Sequence, residues 1–261
     1  MPDTEHTVHP PSGLRHVEHV MGTVFSFDIR DEPTPAIHRA LADVVRQLHR
    51  VDAVFSTYRP DSHISRLDRG DIRLAECPPA VHEVLSLCAR VTHDSDGYFS
   101  ISPAGTLDPS GLVKGWATDA ASQLLYDAGA RHTCVNGGGD LQLRTSADHS
   151  TPWRIGIAHP LRLGELATVI TAPHDLAVAT SGTAERGAHI LDPHHGTPVT
   201  AFASLTVVGP RLTMTDAYAT AAFARGDGAR DWLEVLPGYE ALAILPDGRQ
   251  WRTSGFDQYG A

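Results

Sequence analysis

Cysteine is scarce in this chain of 261 residues: Cys77, Cys88 and Cys134 are odd in number and lack the paired short spacing of a zinc cluster or a disulfide framework. All three are expected as reduced thiols, mostly buried. Long apolar runs are missing too. No stretch reaches the roughly 18 apolar residues of a membrane-spanning helix. Met1 to His6 has neither the basic nor the apolar region of a secretory leader. These absences predict a cytoplasmic protein. Positive charge is in deficit, with 21 Lys and Arg against 31 Asp and Glu and a formal net charge of −10. No basic run offsets that balance, which argues against a sequence-independent grip on nucleic acid or anionic lipid. Internal repeats and low-complexity tracts are also absent.

Hydrophobic residues at 41% and charged residues at 20% give the profile of a globular protein long enough for a sizeable core. Met1 to Gly13, with Pro10-Pro11, reads as a flexible lead-in, and residues 14–261 as one domain. Thr23, Phe25, Phe27 and Ile29 alternate with Val24, Ser26, Asp28 and Arg30, a strand pattern. Thr34-Pro35 then supplies a cap and a first-turn proline for a helix whose apolar stripe runs through Ile37, Leu41, Val44, Val45, Leu48, Val51 and Phe55. A second helix carries Val81, Val84, Leu85, Cys88 and Val91, and a third is predicted from about Lys114 to Ala128, ending at Gly129. From His132 onward the texture is mostly strands, interrupted by a helix around Asp216 and closed by a hairpin at Pro246-Asp247-Gly248. Helices early and strands late predict an α+β fold with mixed or antiparallel sheets flanked by helices.

Four segments could carry chemistry. On the late helix Asp216 and Thr220 stand at i and i+4, placing a carboxylate and a hydroxyl on one face. Oxygen ligands of that kind suit Mg²⁺, which keeps several waters and completes its shell with phosphate oxygens. Asn136-Gly137-Gly138-Gly139-Asp140 lies between two predicted strands and could offer an anion-binding nest of backbone N–H groups, although a plain hairpin turn uses the same residues. Lys114, read at a helix N-terminus, makes sense if an anion docks there; the alternative is a solvated surface lysine. Thr180-Ser181-Gly182 leads toward His189-Ile190-Leu191-Asp192-Pro193, where His189 could carry a proton near neutral pH. His194 and His195 lack the partners of a transition-metal site.

Taken in order, Met21-Gly22-Thr23, Ser56-Thr57-Tyr58, Lys114-Gly115-Trp116-Ala117, Gly138-Gly139-Asp140, Thr180-Ser181-Gly182, His189 to Pro193 and Asp216-Ala217-Tyr218-Ala219-Thr220 resemble the ApbE-type FAD:protein FMN transferases. The resemblance implies a Mg²⁺-dependent enzyme that cleaves FAD and attaches the FMN half to a threonine hydroxyl of an acceptor flavoprotein, releasing AMP. It implies metal ligation by Asp216, Thr220 and the backbone carbonyl of Ala117, and catalysis by His189 together with Asp216. FAD contacts are implied at Met21, Tyr58, Lys114, Ala120, Gly138, Gly139, Asp140, Ser181 and Ile190. Two other readings use the same site: a Mg²⁺-dependent FAD pyrophosphatase, in which water replaces threonine, and a non-catalytic FAD-binding protein. The chain departs from the family pattern at His63, where an acidic residue is usual, and between Ile101 and Leu107, where members carry a longer insertion that helps wall the flavin pocket.

Overall fold

The computed structural model describes residues 13–102, 105–146, 151–183 and 190–260. Its first elements follow from local chemistry. Strands β1 (Leu14–Val20) and β2 (Thr23–Ile29) form a hairpin across a two-residue turn in which Met21 and Gly22 both have positive φ, 57° and 67°. Helix α1 (Pro35–Phe55) begins where the Thr34 hydroxyl accepts the Ile37 N–H at 3.2 Å, with proline at the first helical position. Its stripe from Ile37 to Phe55 is buried as the 3.6-residue period requires. Two further helices follow, α2 (His63–Asp68) and α3 (Pro79–Asp94), and then α4 (Ser110–Asp127). The last starts one turn earlier than its pattern predicts, so Lys114 sits inside the helix and not at its N-terminus. It ends as expected, with Gly129 at φ 103° just past the Ala128 cap.

The second half supplies β3 (Thr133–Gly137), β4 (Asp140–Arg144), β5 (Trp153–Ala158), β6 (Leu166–Ala172) and β7 (Leu176–Gly182). After the short pair β8 (Leu191–Asp192) and β9 (Thr197–Pro198) come β10 (Ser204–Gly209), helices α5 (Leu212–Arg225) and α6 (Ala229–Glu234), and strands β11 (Glu240–Ile244) and β12 (Gln250–Arg252). One eight-stranded sheet runs β1-β2-β3-β4-β7-β10-β11-β12, and every pairing in it is antiparallel. The fold is α+β, with the sheet antiparallel throughout.

Alternation along the strands separates two cores. Ala177, Ala179, Leu205, Val207, Ala241 and Ala243 face α5, whereas Leu176, Val178, Val208 and Leu242 face the β5–β6 hairpin through Trp153, Ile157 and Ile170. The third and largest cluster joins Phe25, Phe27 and Ile29 of β2 to the inner faces of α1, α3 and α4. Strand β1 escapes the periodicity argument because its inward positions include His16 and Glu18, and an edge strand is only half buried.

Helices α4 and α5 lie side by side on the sheet, and Gly115 sets how closely they approach. A Cβ on Gly115 would stand 2.7 Å from the Leu212 carbonyl oxygen and 2.8 Å from Asp216 Cβ. Cys77 and Cys88 are buried, Cys134 is partly so, and all three are free thiols as expected. Burial pushes the Cys88 thiol up to about 12. Two outcomes are expected. Gly115→Ala should overpack this contact and lower stability by about 1–3 kcal/mol, measured by urea denaturation; an unchanged midpoint would show that the helices can separate freely. Cys88 should resist a thiol reagent at pH 8 until the chain unfolds, and fast native labelling would contradict its burial.

Candidate active site

A cavity of about 600 Å³ opens across one end of the sheet. The hairpin turns β1–β2 and β3–β4, the end of β7 and the start of β10 all lie at that end, because antiparallel pairing brings them there in register. α4 and α5 close it from one face of the sheet and β5 from the other, with Ile155 and Ile157 on its wall. The volume suits a small-molecule ligand.

Its charged floor is the most constrained part. Asp140 opens β4 directly after the β3–β4 turn, and its Oδ1 accepts the Thr180 N–H at 2.8 Å, tying β4 to β7. Its Oδ2 accepts from the Lys114 ammonium of α4. The same ammonium lies 3.1 Å from Oδ2 of Asp216 on α5. Both carboxylate side chains are nearly buried, 6% and 8% exposed, and Lys114 is 24% exposed. The approach of Lys114 to Asp216 has ion-pair distance without hydrogen-bond alignment, so Asp216 Oδ2 is a buried oxygen with no hydrogen-bond partner. The ammonium offsets the charge of that oxygen but leaves its hydrogen-bonding capacity unused. Thr220, one turn further along α5, faces the same cavity.

The position of Asp216 is fixed from outside the motifs. Asp119 of α4, buried, takes the Arg211 guanidinium at 2.8 Å and the Thr213 hydroxyl at 2.8 Å, and Gln142 of β4 accepts the Leu212 N–H at 2.8 Å. These contacts pin the first turn of α5 to α4 and to the sheet, just before Asp216. The sequence reading missed all four residues. Their signal was compositional: α4 and α5 are apolar nearly all round, and a carboxylate inside such a helix needs a partner.

The other predicted residues sort by position. Met21, Tyr58, Lys114, Gly138, Gly139, Asp140, Ser181, Ile190, Asp216 and Thr220 all line the cavity. Met21 does so from a turn with positive φ, an uncommon conformation for a residue with a Cβ. Tyr58 is 96% exposed at the mouth, a free aromatic face. Ala117, buried in α4, and Ala120, half-buried on the same helix, are not among the lining residues. His189 lies outside the described residues. Gly138 and Gly139 form a two-residue hairpin turn with φ 62° and 98°. Their N–H groups are already committed, Gly138 to the Val24 carbonyl at 2.9 Å and Gly139 to Asn136 Oδ1 at 2.8 Å. The turn therefore offers close backbone approach and not the open nest of N–H donors. The short stretch before α4 is held at both ends, by the Leu107 N–H on Asp68 Oδ1 at 2.8 Å and the Asp108 N–H on the Ile101 carbonyl at 2.6 Å. His194 sits against the Tyr98 ring, centroids 4.6 Å apart, and among the described residues no group of three His, Cys, Asp or Glu is placed to hold a metal by itself.

The sequence profile of the ApbE family matches residues 21–105 and 102–243. An FAD:protein FMN transferase of Treponema pallidum is 31% identical over 205 residues, covering 68% of this chain and 57% of that protein. One of Rhodobacter capsulatus is 34% identical over 155 residues, covering 56% of this chain and 29% of that protein. The matched stretch thus spans at most little more than half the length of these curated relatives. Among solved structures, flavin transferase ApbE from Vibrio cholerae superimposes with a TM-score of 0.83 at 21% identity, covering 96% of this chain and 100% of that one. The ApbE protein of Thermotoga maritima gives 0.84 at 20% identity, covering 95% and 99%; both likenesses concern the fold. With the profile running through the turns, helices and strands that build the cavity, the chain belongs to the ApbE family.

Proposed function

We propose that this chain transfers the FMN moiety of FAD to a threonine hydroxyl of an acceptor flavoprotein, in a Mg²⁺-dependent reaction that releases AMP. The observation that carries the reading is the nearly buried Asp216 carboxylate on the floor of a ligand-sized cavity, its Oδ2 facing the Lys114 ammonium at 3.1 Å without a hydrogen bond, with Thr220 lining the same cavity. The names of the relatives support the same activity.

The residues present fit a hard divalent cation. One carboxylate and one hydroxyl make an oxygen-only donor set, too small to be a closed cage, which suits an ion that keeps waters and takes phosphate oxygens. Asp216 and Thr220 would hold it, with the Ala117 carbonyl as the third protein ligand suggested by the family resemblance. When bound, Mg²⁺ would act there as a Lewis acid toward the pyrophosphate.

The chain's own residues account for the rest. Lys114 places an ammonium at the cavity floor, where it offsets negative charge. Gly138 and Gly139 admit the ligand close to the backbone, and Met21, Tyr58, Ser181 and Ile190 line the space the dinucleotide would occupy. The acceptor threonine's Oγ attacks the phosphorus of the FMN half, the phosphoanhydride bond breaks, and AMP leaves with the bridging oxygen. His189 is the proposed base for the threonine proton. Positioning supplies much of the acceleration in such a displacement.

The test is incubation with FAD and Mg²⁺, with and without a flavoprotein bearing an acceptor threonine, following AMP and protein-bound flavin together. Transfer predicts AMP only with acceptor; AMP without it would assign hydrolysis, and intact FAD in both tubes would leave a binding protein. Asp216→Ala should lower turnover on the order of a hundredfold or more, and unchanged AMP release in that variant would remove it as metal ligand. His189→Ala should spare FAD binding and slow transfer; an unaffected rate would take it out of the mechanism.

A further inference from the structure

Lys114 is the only lysine in the chain; the other twenty basic side chains are arginines. Its ammonium lies between two nearly buried carboxylates on different elements, Asp140 after the β3–β4 turn and Asp216 on α5. Its compact ammonium, with three rotatable donors, reaches both. The two aspartates are not equivalent. Asp140 is fully engaged, by the Thr180 N–H and by Lys114, whereas Asp216 Oδ2 has the ammonium at 3.1 Å but no hydrogen bond.

We propose that Lys114 is the built-in counter-ion of the Asp140–Asp216 pair, competing with the divalent cation for Asp216: metal binding displaces the ammonium from Asp216 and leaves it on Asp140. This rests on the reading of Asp216 as a metal ligand given above. Without a positive charge between them the two carboxylates would repel. With Lys114 in contact with both, that repulsion is offset, at the cost of opposing a metal that takes one of the pair. The displaced ammonium stays at the cavity floor, facing the space assigned to the pyrophosphate.

The test needs neither FAD nor turnover. Mn²⁺ binding to FAD-free protein, followed by electron paramagnetic resonance, is expected to be on the order of tenfold tighter in Lys114→Met than in the natural chain. Equal or weaker binding in the variant would overturn the proposal. A second readout uses the natural sequence and so does not depend on the variant folding. Protein grown with ¹⁵N-lysine contains a single side-chain ammonium, whose NMR signal should move when Mg²⁺ saturates the site. A signal that stays in place at saturating Mg²⁺ would overturn it equally. Asp216→Ala separates the two levels. Loss of Mn²⁺ binding in that variant, with equal affinity in the natural chain and Lys114→Met, defeats the competition alone. Mn²⁺ binding that survives Asp216→Ala, or is absent from the natural chain and Lys114→Met alike, defeats the metal assignment and the competition with it.

Discussion

Two carboxylates held close together away from water are an unstable arrangement unless a positive charge stands between them, and the cavity floor is built around that constraint. Asp140 and Asp216 come from a strand end and the second turn of a helix, 76 residues apart in sequence. What brings them together is the close packing of α4 on α5 at Gly115, the same turn that carries Lys114. Backbone proximity and charge compensation are therefore one feature. A larger residue at 115 would displace the acid that residue 114 neutralises.

The antiparallel sheet supplies the complementary half. Because each strand reverses, hairpin turns and strand ends accumulate at one end, and three of them line the cavity there: Met21–Thr23, Gly138–Asp140 and Thr180–Gly182. Their role depends on rigidity. Asp140 is anchored to β7 through the Thr180 amide, and the glycine turn is tied to β2 through the Val24 carbonyl. Both contacts are donated by main-chain amides outside the strand ladders, so these parts of the cavity wall are held by the protein itself.

The sequence disclosed much of this, unevenly. Regular periodicity located α1, α3 and most strands, because in those segments burial and residue type coincide, as in Ile37 to Phe55. It failed at β1, whose inward positions are polar, and at the start of α4, where Ser110 to Val113 continue a helix that is buried nearly all round and so leaves no stripe to read. Asp216 and Thr220 were legible from helical spacing. The clamp of Asp119, Gln142, Arg211 and Thr213 was not, since a contact between residues 92 apart such as Asp119 and Arg211 leaves no local pattern. The glycine run was ambiguous between turn and nest, and the hydrogen bonds decide it: both amides are spent on the protein.

With those amides spent, the positive charge at the floor is that of Lys114. In phosphate sites built on backbone amides, the fold itself provides the positive field. Here the turn amides are occupied and Lys114 lies inside α4, one turn beyond its start, where the helix terminus helps little. The positive charge comes from a side chain and, on the reading above, from a metal ion that competes with it for one of its two carboxylates. Asp140 hydrogen-bonds through both oxygens and, on that reading, keeps its cation; Asp216, which meets the ammonium at 3.1 Å without a hydrogen bond, is the one able to exchange. The asymmetry between two chemically identical groups follows from one backbone hydrogen bond, the Thr180 amide, which is present for Asp140 and has no counterpart at Asp216 among the described residues.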